Sequence, residues 1–150
     1  MKIGIIGAGD GGLSNARSLL ALGHRVSIFD TSKKAFENKM FENELSDATL
    51  LNSPPLFYSG LYDLIVVATP DNKHPGALRS ALRHADKVFL EKPVATTSED
   101  LRKVHELNQA HPGRIVFGEK YSHARPVQAL LKAQKNMGDF LWASTHYTMW

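Results

Sequence analysis

With 150 residues, of which 43% are hydrophobic and 22% charged, the chain is long enough to build one globular domain with a real core. Its net charge of +3 comes from 18 basic and 15 acidic side chains scattered along the sequence, so it carries no nucleic-acid footprint, and no run of roughly eighteen apolar residues marks a membrane span. The absence of cysteine excludes disulfides, a thiol nucleophile and cysteine-ligated metal.

The N-terminus enters an apolar strand, Lys2 to Ile6, without the pattern of a secretory signal, and a soluble, cytoplasmic protein is the expectation. Gly7-Ala8-Gly9-Asp10-Gly11-Gly12 follows and opens a helix expected over Gly11 to Leu22, in which Leu13, Ala16, Leu19, Leu20 and Leu22 recur near helical spacing before Gly23 ends it. A second strand, Arg25 to Phe29, leads to Asp30. A G-x-G-x-x-G run that follows a strand, opens a helix and precedes an acidic residue at the end of the next strand is the fingerprint of a dinucleotide site. Gly7 is expected to permit the tight turn, Gly9 the approach of a pyrophosphate and Gly12 the close packing of helix on strand. The helix N-terminus, including Gly11, offers free amides and a positive dipole end to the phosphates. Asp10 fits a cap that accepts from those amides, although its charge lies near the expected phosphates. Asp30 is placed to accept from the adenosine ribose hydroxyls and to repel a 2′-phosphate, which favours NAD; Ser32, Lys33 and Lys34 directly after it keep NADP open.

Ser32 to Phe41 reads as a short helix with Phe36 and Met40 inward, and the polar stretch 43–53 resists assignment. Pro55 to Ser59 is expected as an edge strand, because Pro54 and Pro55 argue against a central one. Leu64 to Ala68 is a continuous apolar run, as a parallel strand buried on both faces requires, and Thr69-Pro70-Asp71-Asn72 ends it. A helix is expected from His74 to Arg83, then a strand from Lys87 to Leu90 that runs into Glu91-Lys92-Pro93. Thr97 or Ser98 caps the next helix, with Leu101, Val104 and Leu107 on its apolar side. Ile115 to Gly118 is the sixth strand, and Arg125 to Lys135 a crossover helix. Strands alternating with helices in this way predict an α/β fold with a doubly wound, mostly parallel sheet, a dinucleotide-binding Rossmann domain over residues 1–137. Asp139 to Trp150 alternates as a strand, and residues 138–150 are expected to begin a second domain.

The glycine fingerprint, the segment Val66-Val67-Ala68-Thr69-Pro70 followed by His74, and Glu91-Lys92-Pro93 together resemble the Gfo/Idh/MocA oxidoreductase family, over roughly residues 2–150. The resemblance implies an NAD(P)-dependent oxidoreductase that moves hydride between nicotinamide and a small polyol, sugar or related hydroxy or imine substrate. It places Glu91 and Lys92 beside the nicotinamide, with Lys92 as the catalytic residue whose ammonium stabilises developing alkoxide charge, directed into the cleft by a cis bond to Pro93. It puts Thr69, Pro70, Asn72 and His74 along the cofactor, although His74 reads equally well as a polar packing residue. Gly118-Glu119-Lys120-Tyr121 resembles the segment that contacts nicotinamide and substrate, with Tyr121 as the contact. The family commonly carries arginine or asparagine there, so the substrate stays open.

The family's acid/base partner belongs to a C-terminal sheet beyond Trp150. The chain therefore reads either as part of a longer enzyme or as a short form completed by a second copy, a homo-oligomer joined through the terminal strand. The link from Ser59 to Asp63 is too short for the helix the family places between strands three and four, and a reduced adenine wall is expected. A non-catalytic NAD(H)-binding module is the alternative function. No metal site is expected, since none of the 7 histidines has the H-E-x-x-H spacing.

Overall fold

Six apolar runs pair into one all-parallel sheet in the computed structural model, which describes residues 1–37, 44–119 and 125–134. They are β1 (Lys2–Ile6), β2 (Arg25–Phe29), β3 (Thr49–Leu51), β4 (Tyr62–Val67), β5 (Ala85–Leu90) and β6 (Ile115–Phe117), in the spatial order β3-β2-β1-β4-β5-β6. Helices α1 (Asp10–Ala21), α2 (Pro54–Tyr58), α3 (His74–Ala81) and α4 (Ser98–Ala110) connect them, and α5 (Arg125–Gln134) follows β6. This is the doubly wound α/β architecture read from the sequence, with every described strand pair parallel. The chain divides into two compact units, Met1–Gly118 and Glu119–Trp150; the expected boundary after residue 137 falls inside the second. The expected terminal strand lies outside the described residues.

Alternation along the strands sends side chains to two separate cores. Ile3 and Ile5 of β1, Val26 and Ile28 of β2 and Val66 of β4 pack with Leu13 and Ala16 of α1. Ile6, Phe29, Ile65, Val67 and Val88 point the other way, onto Phe57 of α2, Leu78 and Ala81 of α3 and Val104 of α4. A strand buried on both faces has no polar positions to spare, which is why β4 is continuously apolar from Leu64 to Val67 and carries its one charge, the exposed Asp63, near its amino end. Phe57 is fully buried and stacks between Phe29 and Tyr62, at centroid distances of 5.4 and 4.9 Å. Gly4 makes room for it: a Cβ there would lie 2.7 Å from the Phe57 ring.

Three sequence expectations are corrected. The segment expected as an edge strand at 55–59 is helix α2, with its two prolines in the first turn. Backbone N–H groups have no intrahelical partner there, so proline costs nothing. The third strand is instead Thr49–Leu51, within the stretch left unassigned, and among the described residues it pairs with β2 alone. Consequently the chain between strands three and four does hold a helix, which overturns the expectation that the link is too short for one. The helix expected from Ser32 is a 3-10 turn over Lys33–Phe36, and its expected continuation from residue 38 lies outside the described residues.

The amino edge of the sheet is fastened by one side chain. The Arg114 guanidinium, just before β6, donates to the carbonyls of Leu82 at 2.8 Å, Ala85 at 2.5 Å and Asp86 at 3.1 Å. Three carbonyls that face the end of α3 and the start of β5 thereby share one planar donor fork.

Candidate active site at the carboxyl edge of the sheet

Strand order reverses between β1 and β4, and in open parallel sheets the crevice at such a reversal, beyond the carboxyl ends of the strands, is where ligands bind. The ladder hydrogen bonds continue past the strand ends here. Gly7 N–H donates to Phe29 O at 2.8 Å, Ala68 N–H to Ile6 O at 2.9 Å and Glu91 N–H to Val67 O at 3.0 Å. Asp30 N–H donates to Leu51 O at 3.2 Å and Gly118 N–H to Leu90 O at 2.8 Å. Residues far apart in sequence are thus held in one row by the sheet itself.

In the turn from β1 to α1 the glycines differ in what they do. Gly7 has φ of +106°, outside the range of L side chains, and a Cβ on it would strike the Ala68 carbonyl. A Cβ on Gly12 would fall on the Gly7 carbonyl oxygen. By contrast, a Cβ on Gly9 or Gly11 would meet no protein atom within 4 Å. Gly7 and Gly12 therefore answer to the fold, whereas Gly9 and Gly11 border open space. Gly9 is also the N-cap of α1, with Leu13 N–H donating to its carbonyl at 2.9 Å. That corrects the reading of Asp10 as the cap: Asp10 is the first helical residue, exposed, and no side chain caps this helix. The amides of the first helical turn, which lack intrahelical acceptors, consequently stay open toward the crevice.

Asp30 has a part that the sequence did not reveal. Its Oδ2 accepts from Ala8 N–H at 2.9 Å and its Oδ1 from Ser32 N–H at 2.8 Å. The carboxylate thus ties the glycine turn to the end of β2. A carboxylate has about four acceptor sites, so two such bonds leave capacity for two more donors.

Beyond β4, Thr69 borders the crevice, Pro70 and Asn72 are exposed, and His74 is buried at 1% exposure. His74 Nε2 lies 2.9 Å from Thr69 O; a carbonyl only accepts, so Nε2 carries the proton and donates. The ring thereby closes the Thr69 turn from inside. Its Nδ1 and the Thr69 hydroxyl are buried without a hydrogen-bond partner.

At the end of β5, Glu91 is half-buried, Lys92 is exposed, and the Lys92–Pro93 bond is cis, as expected. Among the described residues the Lys92 ammonium has no hydrogen-bond or ion-pair partner. An open cleft of about 210 Å³ is bordered by Gly11, Ala68, Thr69, Glu91 and Lys92. Sequence reasoning missed Asn15 of α1, whose amide donates to Gly11 O at 2.8 Å and to Glu91 Oε1 at 2.8 Å. The available signal was local: asparagine is a poor residue for a helix interior, and one next to a glycine turn calls for a partner.

Tyr121 lies outside the described residues. Among the described residues no cluster of His, Asp and Glu could hold a metal ion, and no helix is long and apolar enough to cross a membrane. Two larger hollows, of about 370 and 530 Å³, sit at the amino edge of the sheet, around Arg83, His84 and Asp86 and around His24, Arg25 and Asp47. They face away from the strand reversal and are lined by none of the candidate catalytic or cofactor-binding residues.

Residues 1–119 match the family model described as an oxidoreductase family with an NAD-binding Rossmann fold, GFO_IDH_MocA. The chain belongs to this family. An inositol 2-dehydrogenase/D-chiro-inositol 3-dehydrogenase of Shouchella clausii is 28% identical over 119 residues, covering 77% of this chain and 34% of the relative. An uncharacterized oxidoreductase of Streptococcus pneumoniae is 29% identical over 157 residues, covering 100% of this chain and 41% of the relative. The chain thus spans about a third to two fifths of the length of these Gfo/Idh/MocA relatives. The fold also matches myo-inositol dehydrogenase from Lactobacillus casei, solved with NAD(H) and myo-inositol, with a TM-score of 0.78 at 21% identity over 91% of this chain and 41% of that one. It matches the WlbA dehydrogenase of Chromobacterium violaceum, solved with NADH and UDP-GlcNAcA, with a TM-score of 0.75 at 17% identity over 91% of this chain and 40% of that one.

Proposed function

We propose that this chain is the cofactor-binding part of an NAD-dependent dehydrogenase acting on a hydroxyl of a small polyol or sugar, with Lys92 as its catalytic residue. The observation that carries the reading is three features along the carboxyl edge of the sheet: open space over Gly9 and Gly11, a carboxylate with free acceptor capacity at Asp30, and a Lys92 ammonium without a partner among the described residues, bordering the same cleft as Gly11. The vacant volume where side chains would stand, and the open amides behind it, fit a pyrophosphate. Asp30 suits the two ribose hydroxyls and disfavours a 2′-phosphate, so NAD is preferred over NADP.

When bound, a nicotinamide dinucleotide supplies the hydride acceptor for alcohol oxidation, or the donor in reverse. Lys92 does the rest that this chain can do. Its ammonium donates a hydrogen bond to the substrate oxygen, holds the reacting carbon in place and stabilises the alkoxide charge on that oxygen, which is greatest once the hydroxyl proton has passed to a base and falls as the carbonyl forms. His74 has no such task; it keeps the Thr69 turn in shape. The relatives' names, inositol dehydrogenases among them, support a polyol or sugar as the substrate class.

Calorimetric titration with NADH and NADPH separately, with Gly9→Val as control, tests the cofactor reading. Binding of NADH that the variant abolishes is the expected result, and no binding of either dinucleotide overturns it. Turnover tests the rest: NAD reduction with myo-inositol as probe is expected to fall by about 10²- to 10³-fold in Lys92→Ala, the usual cost of removing one donor to a charged reacting oxygen. Unchanged turnover in that variant removes Lys92 from the chemistry.

A further inference from the structure

Asn15 and Glu91 are 76 positions apart and meet across the cleft, and neither is explained by cofactor binding alone. Both acceptors of the Asn15 amide, the Gly11 carbonyl and a Glu91 carboxylate oxygen, fix its orientation, since only the amide nitrogen can donate to them. The second Glu91 oxygen, Oε2, accepts from Lys92 N–H at 3.2 Å. One unbroken chain of hydrogen bonds thus runs from the glycine turn, through Asn15 and the Glu91 carboxylate, to the main chain of Lys92. Glu91 has no cationic partner among the described residues, so the neutral Asn15 amide is the side chain that holds its charge in place.

We infer that Asn15 is a positioning residue: acting through Glu91, it keeps Lys92 at a fixed distance from the cradle at the start of α1. The inference rests on the dehydrogenase reading for its purpose, but the tie itself is a property of this chain. Lys92 is exposed and its long side chain loses freedom only through its backbone and its stem. A catalytic ammonium on a loose strand end would spread over many placements, and small misplacements at a reacting centre are costly in rate. Asn15 also reads the other side of the cleft, because the Gly11 carbonyl moves with the turn that borders the cofactor space. A shift of the glycine turn is thereby passed to Lys92.

Exchange of donor and acceptor tests this. Asn15→Asp removes the donors and sets a second carboxylate against Glu91, whereas Asn15→Asp combined with Glu91→Gln restores one bond with its polarity reversed. Lys92 is followed by the ¹³C resonance of its reductively dimethylated amine, assigned by its absence in Lys92→Arg, with and without NADH; NADH affinity is measured in parallel. Asn15→Asp is expected to shift or broaden the Lys92 resonance and to weaken NADH binding by roughly tenfold, the scale of one lost hydrogen bond to a charged group. The double variant is expected to return both toward wild type. A role confined to helix stability would move the urea midpoint of Asn15→Asp without recovery in the double variant, and that result overturns the inference. An unchanged Lys92 resonance in Asn15→Asp does so too. Should that variant not fold, Asn15→Ala removes the same donors without adding charge, and an unchanged Lys92 resonance there is equally fatal. Failure of wild type to bind NADH would instead count against the dehydrogenase reading, since the Lys92 resonance is also read without cofactor.

Discussion

Gly12 lies against Gly7 so closely that a Cβ on the first would coincide with the carbonyl of the second. The contact brings α1 down onto the end of β1, and backbone on both sides leaves nothing flexible to yield. Gly12→Ala is therefore expected to destabilise the fold by about 1–3 kcal/mol or more, as overpacking does, and to lower the urea midpoint. Gly9→Ala provides the contrast, because its new methyl group meets open space. Its midpoint should fall far less than that of Gly12→Ala, by no more than the cost of a poorer N-cap residue, while its NADH affinity falls. Equal loss of stability in both variants would contradict the division between folding and binding glycines.

Phe57 is the anchor of the second core. Fully buried between Phe29 and Tyr62, and facing a glycine that leaves it room, it has no small neighbour able to fill its place. Phe57→Ala is expected to cost about 3–5 kcal/mol, within the range for a large aromatic lost from a core, which is a large share of the stability of a domain this size. Chemical denaturation measures it directly. A loss below about 1 kcal/mol would mean that α2 can collapse into the space.

The parts of this protein that were readable in its sequence are those with period or punctuation. The continuous apolar run from Leu64 gave away β4, and the glycine turn located α1 and the crevice. β3 has only three residues, too few to show alternation, and among the described strands it pairs with β2 alone, so burial wrote no pattern into it. α2 was mistaken for a strand because a Pro-Pro pair was weighed as a strand breaker, when the first helical turn tolerates it. At the site, Gly7, Gly9, Gly12 and Asp30 were singled out by their place in the glycine turn and at the end of a strand, and Thr69 and Lys92 by the family resemblance. Asn15 was not, because its partner is brought to it by the sheet, and no local rule links position 15 to position 91.

Asp30 carries two duties, and they can be separated. Its carboxylate binds Ala8 N–H and Ser32 N–H, and its remaining acceptor capacity faces the region where ribose hydroxyls are proposed. Asp30→Ser keeps a short polar group but removes the charge. NADH affinity is expected to fall by about tenfold, and the preference for NADH over NADPH to narrow by a similar factor, because repulsion of a 2′-phosphate disappears and Lys33 and Lys34 remain nearby. Paired calorimetric titrations decide this. An unchanged NADH-to-NADPH ratio would show that Asp30 serves the turn alone.

The N-terminus of α4 provides a pH-dependent contribution whose sign is fixed by its geometry. The Thr97 hydroxyl accepts from Asp100 N–H at 3.1 Å and donates to Asp100 Oδ2 at 3.0 Å. That hydrogen bond from Thr97, followed by the one from Lys103, holds the Asp100 carboxyl below its ordinary range. A carboxyl group depressed in the folded state adds stability above its unfolded pKa, about 3.9, and loses it as pH falls through the lower folded value. Thr97→Ala is expected to cost about 1 kcal/mol at neutral pH, the usual worth of such a cap. Below about pH 4 the difference between variant and wild type should narrow, since protonated Asp100 no longer rewards the Thr97 hydroxyl as a donor. Urea midpoints of both proteins, measured at neutral pH and again in acid, give the two differences. A gap that stays constant would mean that the cap works through the Asp100 amide alone, and that the carboxylate adds nothing to it.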